Sequence, residues 1–397
     1  MKKRTIYKTV IIVILLFVML FVSACQKPEQ TLKESNTDIK EILLPISFSS
    51  QEEQMANTRI FWLYDEVVLL IRETDSGCSY NIFDWNEEKL LKSGELSLAR
   101  PPIKSQGEQV SWVQLSQNLF LVKNLFEASE AYLWEYRNGE TVVQKLPLEE
   151  TFTDFVVNES GTLLAGISVN RELLQIFKMQ QKTGQQISLE ISLTMGDLTV
   201  PPSSKLVQVA FVNDEELVYS WNQEIDSTKS GYGVYSIANQ TVVSQNMFGS
   251  SEMRIGNHSV LVLKGVDVNR TSVEFAFFHA SGESVIVKNN TIAFQISAFR
   301  NGFAFASGEY VGFVSFVEHQ SPLCWTLLKP LDEGFALDWF INFGKINPSA
   351  LFWATKPTLA LTEDEEPLLV FCSVAYSSGY LQGTNPDVLA LFVVTRK

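Results

Sequence analysis

Turn signals flanked by short β-branched and aromatic runs recur along this chain, and that rhythm restricts the fold more than any other feature. Tyr132-Leu133-Trp134-Glu135-Tyr136 runs into Asn138-Gly139 and out through Thr141-Val142-Val143. Asn-Gly between two such runs reads as a hairpin, because both residues tolerate the positive φ of a type I′ turn. In Val273-Glu274-Phe275-Ala276-Phe277, large apolar residues alternate with a charge and a small residue. The chain turns at Ala280-Ser281-Gly282-Glu283 and resumes at Val285-Ile286-Val287. Such hairpin loops centre near Glu87, Asn138, Thr183, Asn239, Ser281 and Gln320, a spacing of about 47 residues. Asn138-Gly139-Glu140-Thr141-Val142-Val143 and Ala238-Asn239-Gln240-Thr241-Val242-Val243 even share wording. Long amphipathic helical patterns are scarce.

A second shape, strand–turn–strand, precedes several hairpins. Phe155-Val156-Val157, then Asn158 to Gly161, then Thr162 to Ile167 is one case; Val207 to Phe211, Asn213 to Glu216 and Leu217-Val218-Tyr219 is another. Four strands repeated every forty to fifty residues are the footprint of a β-propeller. In period and pattern, residues 41–397 resemble bacterial propellers of the TolB or WD40-like kind. The chain lacks their Trp-Asp blade closure, the kelch Gly-Gly doublet and the sialidase Asp-box. The period predicts an all-β fold of seven blades, with eight as the alternative count and an insertion at residues 331–349. Ile42 to Phe48 is expected to close the last blade beside Leu368–Cys372 and Val388–Val394, covering an edge that would otherwise invite aggregation. The competing architecture is a pair of tandem β-sandwich domains; an even hairpin spacing without a linker favours the ring.

The N-terminus carries a different signal. Met1-Lys2-Lys3-Arg4 is followed by thirteen uninterrupted apolar residues, Val10 to Val22. As a helix this run spans about 20 Å, short of a hydrocarbon core of about 30 Å, so it reads as an export signal. Val22-Ser23-Ala24-Cys25 resembles the lipobox of bacterial lipoproteins. The resemblance implies cleavage before Cys25, a lipid on its thiol, and attachment at the extracytoplasmic face of a cell membrane. Acyl chains contribute about 0.8 kcal/mol per buried CH₂. The reading divides the chain into a signal at 1–24, a lipidated cysteine and tether at 25–40, and a propeller domain at 41–397.

The full chain has a net charge of −14. Without residues 1–24 it keeps 27 basic and 45 acidic residues, or −18. Such a body does not suit nucleic acid, whose phosphates call for clustered Lys and Arg. An anionic bilayer also repels it, leaving attachment to the lipid.

Catalytic motifs are scarce. No Gly-x-Ser-x-Gly elbow is present, and His258, His279 and His319 lie in separate repeat units, with His279 and His319 reading as loop residues. Neither Cys-x-x-Cys nor His-Glu-x-x-His occurs. Asp267-Val268-Asn269 lacks the glycine and glutamate of a calcium loop. Glu363-Asp364-Glu365-Glu366 reads as a solvated loop tip, with a cation or basic-partner site as its alternative. No catalytic, cofactor-binding or metal residue is assigned. Cys78, Cys324 and Cys372 remain in the body, either as buried thiols or with one disulfide, Cys78–Cys372 or Cys324–Cys372. Eight tryptophans, at 62, 85, 112, 134, 221, 325, 339 and 353, are spread as core residues are; a sugar platform would need two or three on one loop face.

These readings converge on a lipid-anchored β-propeller that binds a protein or other ligand at the cell envelope, with an envelope protein as the expected partner. The alternatives are a propeller enzyme acting on carbohydrate or peptidoglycan, and a solute-binding lipoprotein of a transporter.

Overall fold

The computed structural model describes strands and turns between residues 37 and 396. Residues 1–36, Lys397 and several connecting segments, the longest at 48–57, 100–109, 294–302, 343–354 and 375–387, lie outside the described residues. The described elements are twenty-eight strands, arranged as seven four-stranded antiparallel sheets.

The first strand, β1, is Thr37–Ser47. Sheet 1 holds β2 (Thr58–Tyr64), β3 (Val67–Thr74), β4 (Gly77–Asp84) and β5 (Lys89–Ser97). Sheet 2 holds β6 (Val110–Gln114), β7 (Leu119–Asn124), β8 (Ala131–Arg137) and β9 (Glu140–Lys145). Sheet 3 holds β10 (Phe152–Val157), β11 (Leu163–Ser168), β12 (Leu173–Gln180) and β13 (Gln186–Thr194). Sheet 4 holds β14 (Ser204–Phe211), β15 (Glu216–Gln223), β16 (Ser230–Ser236) and β17 (Thr241–Phe248). Sheet 5 holds β18 (Glu252–Gly256), β19 (Ser259–Val266), β20 (Ser272–Ser281) and β21 (Ser284–Ala293). Sheet 6 holds β22 (Phe303–Ser307), β23 (Tyr310–Val317), β24 (Ser321–Pro330) and β25 (Phe335–Asn342). Sheet 7 is β26 (Thr358–Leu361), β27 (Pro367–Val374) and β28 (Val388–Arg396), with β1 as its outer strand.

Every neighbouring pair of sheets shares a core. One cluster joins sheets 1 and 2, including Leu69, Phe120 and Trp134. A larger one joins sheets 2, 3 and 4 through Leu121, Phe155 and Leu206. Sheets 4 and 5 share Val218 and Val260. Phe335 of sheet 6 packs edge-on against Phe275 and Phe277 of sheet 5. Sheets 6 and 7 share Trp339 and Phe371, and Val370 with Val68 closes sheet 7 onto sheet 1. The chain is therefore a β-propeller, with the first strand of each sheet innermost.

Second and third strands lie between sheets on both faces, which explains their unbroken apolar runs. Val67 to Ile71 on β3 and all of β16 are buried. Gly231 and Gly233 on β16 sit opposite Trp221 and Tyr219 of β15. A methyl on Gly233 would stand 2.2 Å from the Tyr219 hydroxyl, and one on Gly231 would stand 2.4 Å from the Trp221 ring. Here glycine is required to seat two large aromatics across the strand pair.

Inner strands have an open edge toward the channel, and polar side chains tie some of these edges to the next sheet. Glu73 of sheet 1 accepts from Val110 N–H of sheet 2 at 3.2 Å. Asp154 of sheet 3 accepts from Val209 N–H at 3.0 Å and holds Lys123 of sheet 2 at 2.9 Å. Gln208 of sheet 4 accepts from Met253 N–H of sheet 5 at 2.8 Å.

The N-terminal closing strand is present: Ile42 pairs with Leu391 and Leu43 with Ala390. It begins at Thr37, inside the segment read as tether, because Ile39 already packs against the core of sheets 6 and 7. Two sequence expectations need correction. The turn near Gln320 joins the second and third strands of sheet 6, not its outer pair. Residues 335–342, within the expected insertion, form the outer strand β25. Its Phe335, Trp339 and Phe340 made an edge strand look like an irregular apolar segment.

Candidate functional site: the loop face across sheets 2 to 4

Meander topology gives the ring two unlike faces. First-to-second and third-to-fourth connections lie at one end of every sheet, here called the turn face. Second-to-third and sheet-to-sheet connections lie at the other, the loop face. Asp65, Glu88, Asn138 and Gln240 all adopt left-handed backbone in turn-face hairpins, where such turns call for it.

On the turn face, polar contacts tie sheet 3 to sheet 4. Asn158 is fully buried; its Oδ1 accepts from the N–H groups of Thr162 and Leu163, and its Nδ2 donates to Asp214 of sheet 4 at 2.7 Å. Ser160 Oγ also donates to Asp214, at 3.1 Å. Gln114, Val157, Val212 and Ile255 line a void of about 20 Å³ at this end of sheets 2 to 5, room for one water.

The loop face differs. In sheet 2, the connection after β7 is pinned at its base and apolar at its tip. Asn124 Oδ1 accepts from Phe126 N–H at 3.0 Å, while Asn124 Nδ2 donates to Ala99 O and to Glu130 Oε2. Glu130 also accepts from Ala99 N–H and from the Tyr132 hydroxyl. Partial burial pushes the Glu130 carboxyl up, but these three hydrogen bonds outweigh it and hold the group below the usual carboxylate range. Burial and the Glu130 charge push the Tyr132 phenol up to about 12. The fixed base presents Leu125 and Phe126, 54% and 50% exposed. On sheet 3 the corresponding turn presents Val169, 63% exposed, above a Ser168–Asn170 hydrogen bond of 2.6 Å.

Beside Val169 an open cleft of about 440 Å³ lies between sheets 3 and 4. Leu173 and Met195 supply its apolar wall and Gly196 leaves it open. Lys205 Nζ pairs with Glu172 at 2.7 Å and donates to Asn170 O. Ser204 is 5% exposed and its hydroxyl has no hydrogen-bond partner among the described residues. Ser203 lines the cleft in left-handed backbone, and Arg171 and Thr199, on the segments that lead to it, are left-handed too. For β-branched Thr199 that conformation is costly; it is held by a hydroxyl bond to Gln245 of β17. Exposed apolar tips beside a paired cation suit capture of a ligand with both apolar and hydrogen-bonding parts.

Sequence reasoning singled out none of these residues. Leu125 and Phe126 follow Asn124 directly and read as continuing a strand. Only Glu130, six residues on, marks the turn.

Of the sequence-stated candidates, Cys25, His258, His319, Asp267-Val268-Asn269 and Glu363-Asp364-Glu365 fall outside the described residues. His279, expected in a loop, lies instead on β20, opposite Ser259, because β20 runs on to Ser281 before it turns. Glu366 is exposed at the start of β27. Cys78 and Cys372 are buried thiols outside any disulfide, in different core clusters. Burial pushes the Cys372 thiol up, so it behaves as a small apolar residue. A Cys78–Cys372 bridge is excluded. Seven of the eight tryptophans are buried, leaving no described aromatic platform. Among the described residues, no three His, Cys, Asp or Glu side chains are placed to hold a metal ion.

No family model matches the chain, and no curated protein matches it either. Among solved structures it is similar to the Cps50 (Swd1) β-propeller domain of Myceliophteria thermophila, at 9% identity and a TM-score of 0.48, covering 89% of this chain and 99% of that one. It is also similar to a hypothetical selenium-binding protein from Sulfolobus tokodaii, at 10% identity and a TM-score of 0.49, covering 85% and 94%. Raptor of Chaetomium thermophilum matches at 8% identity and a TM-score of 0.49, over 92% of this chain and 29% of Raptor.

Proposed function

We propose that this protein is a lipid-anchored, extracytoplasmic binding module: a single ring of seven blades whose loop face captures an envelope protein. The observation that carries the reading is the pair of pinned turns that hold Leu125, Phe126 and Val169 in solvent on the face that also carries an open cleft. Exposed apolar groups cost solubility unless a partner covers them, and turns fixed in advance lose little entropy on binding. The lipobox-like Val22-Ser23-Ala24-Cys25 supports attachment at Cys25, and the acidic body favours a neutral or basic partner.

Photo-crosslinking in whole cells tests the capture. A photoreactive residue in place of Val169 is expected to give one dominant adduct, which Phe126→Asp reduces at least tenfold. A probe at Val142 on the outer rim is expected to give none. Equal adducts from both positions refute the loop face. Anchoring is tested separately: Cys25→Ala is expected to release the protein from the membrane fraction and abolish incorporation of labelled palmitate.

A further inference from the structure

Strand polarity places the N-terminal exit of the ring and its capture residues on opposite faces. β28 is a third strand, running from the loop face at Val388 to the turn face at Arg396. β1 is antiparallel to it and pairs Thr37 with Arg396 and Ser47 with Val388. Thr37 therefore stands at the turn face. Side chains agree: Lys40 Nζ donates to Trp85 O at 3.2 Å and pairs with Glu88 at 3.6 Å, both in the turn-face hairpin between β4 and β5. Leu125, Phe126 and Val169 lie at the other end of their sheets, on the loop-face connections after β7 and β11.

Chain length makes this polarity matter. Cys25 lies twelve residues before Thr37, and twelve residues reach at most about 43 Å however they are arranged. The nine residues of β28 separate the two faces by about 27 Å. With the loop face against a bilayer, Thr37 would stand about 27 Å above it, leaving about 16 Å for anything held between. A single helix, about 10–12 Å thick, would fit, but a small folded domain about 30 Å across would not. Exposed Glu87, Glu88, Glu159, Asp214 and Glu215 on turn-face connections repel an anionic surface. The available reach is several times a Debye length of about 8 Å, so the ring stands off rather than turning over.

We propose that the ring is held with its turn face toward the bilayer and its loop face away from it, so that the loop face takes a folded extracytoplasmic domain of its partner. In this orientation the partner's binding region stands more than about 27 Å above the bilayer surface, beyond lipid and beyond a membrane-embedded helix. The inference rests on the anchoring at Cys25 and the loop-face capture proposed above, and adds the side from which the partner arrives.

The test uses the lipid-modified protein on phosphatidylcholine vesicles that carry acceptor-labelled phosphatidylethanolamine. Donor dyes in place of Glu159 and of Val169, on opposite faces of sheet 3, compare height above the bilayer at one position around the ring. Energy transfer is expected to be at least threefold higher from Glu159, with Glu215 as the turn-face position if the first variant does not fold. Equal transfer, or more from Val169, overturns the proposal. Failure of the protein to bind the vesicles removes the anchor, and the orientation with it. In cells, deletion of residues 28–33 cuts the reach to about 22 Å, too short for the loop face to meet the bilayer, and is expected to leave the Val169 adduct within twofold of the full-length level. Loss of the adduct on deletion, with palmitate labelling and the folded state intact, also overturns the proposal. Absence of the adduct in the full-length protein refutes capture, and with it the folded-domain partner, while energy transfer still decides the orientation.

Discussion

Sheets 4 and 7 contain the same four antiparallel strands and are held together differently. Sheet 4 is written in consecutive residues, 204–248, and each strand meets its neighbour through a short local connection. It seats Tyr219 and Trp221 over glycines and is tied to sheets 3 and 5 by Asp154 and Gln208. Its outer strand is polar, exposed and replaceable. Sheet 7 joins the two ends of the described chain, with Thr37 opposite Arg396. Its outer strand carries its own share of core: Ile42 and Leu44 are 2% and 3% exposed. Lys40 also donates to Trp85 O of sheet 1 at 3.2 Å, and Arg396 grips Asp338 of sheet 6 at 2.7 Å. Locally wired sheets concentrate their stability in the inner strands. The closing sheet needs its edge strand, because that strand completes the ring after the longest loop closure the chain must make.

The contrast predicts an order of damage. Ile42→Ala and Leu44→Ala should each cost about 2–5 kcal/mol, so that the pair removes much of a typical stability of about 5–15 kcal/mol. Denaturant titration measures this; Val243→Ala on the outer strand of sheet 4 should change the midpoint by less than about 0.5 kcal/mol. Next comes the tie between inner strands. Asp154→Ala strands a half-buried Lys123 and should cost about 3 kcal/mol, whereas Lys123→Met with Asp154→Leu should recover more than half of it. Gly233→Ala should cost about 1–3 kcal/mol by crowding the Tyr219 hydroxyl. Tyr219→Leu in that background should cost less than the two single changes summed, since the ring atoms that crowd the new methyl are gone.

The smallest effect concerns acid. Glu130 is held below its ordinary value, so its contribution is complete above about pH 4.3 and is lost as pH falls through the lower folded value. Exchange of the Ala99 amide hydrogen should accelerate over that window relative to neighbouring sites. Glu130→Gln should abolish the acid-specific step.

Much of this fold was legible in sequence because inner and middle strands are buried on both faces. Val67–Ile71, Val156–Val157 and Leu217–Trp221 stand out as apolar runs against polar turns. Asn138-Gly139 and Asn158 to Gly161 named their turns correctly, since the required φ values restrict which residues fit. Sheet 6 misled for the same reason: its outer strand β25 carries Trp339 and Phe340, so nothing marked it as an edge, and the hairpin rhythm slipped onto Gln320. The candidate site was not legible at all. Exposure of Leu125, Phe126 and Val169 depends on where two neighbouring sheets put their turns, and the orphan Ser204 hydroxyl on what surrounds it in space.

The ring closed by both chain ends is tested most directly by a cross-strand disulfide. Asp38 and Thr395 are partners in the β1–β28 register, and the native thiols described, Cys78 and Cys372, are buried. Asp38→Cys with Thr395→Cys should form an intramolecular disulfide on mild oxidation and raise the thermal midpoint relative to the reduced form. Failure of the bond to form in a folded protein, or bonding only between molecules, would contradict closure by β1.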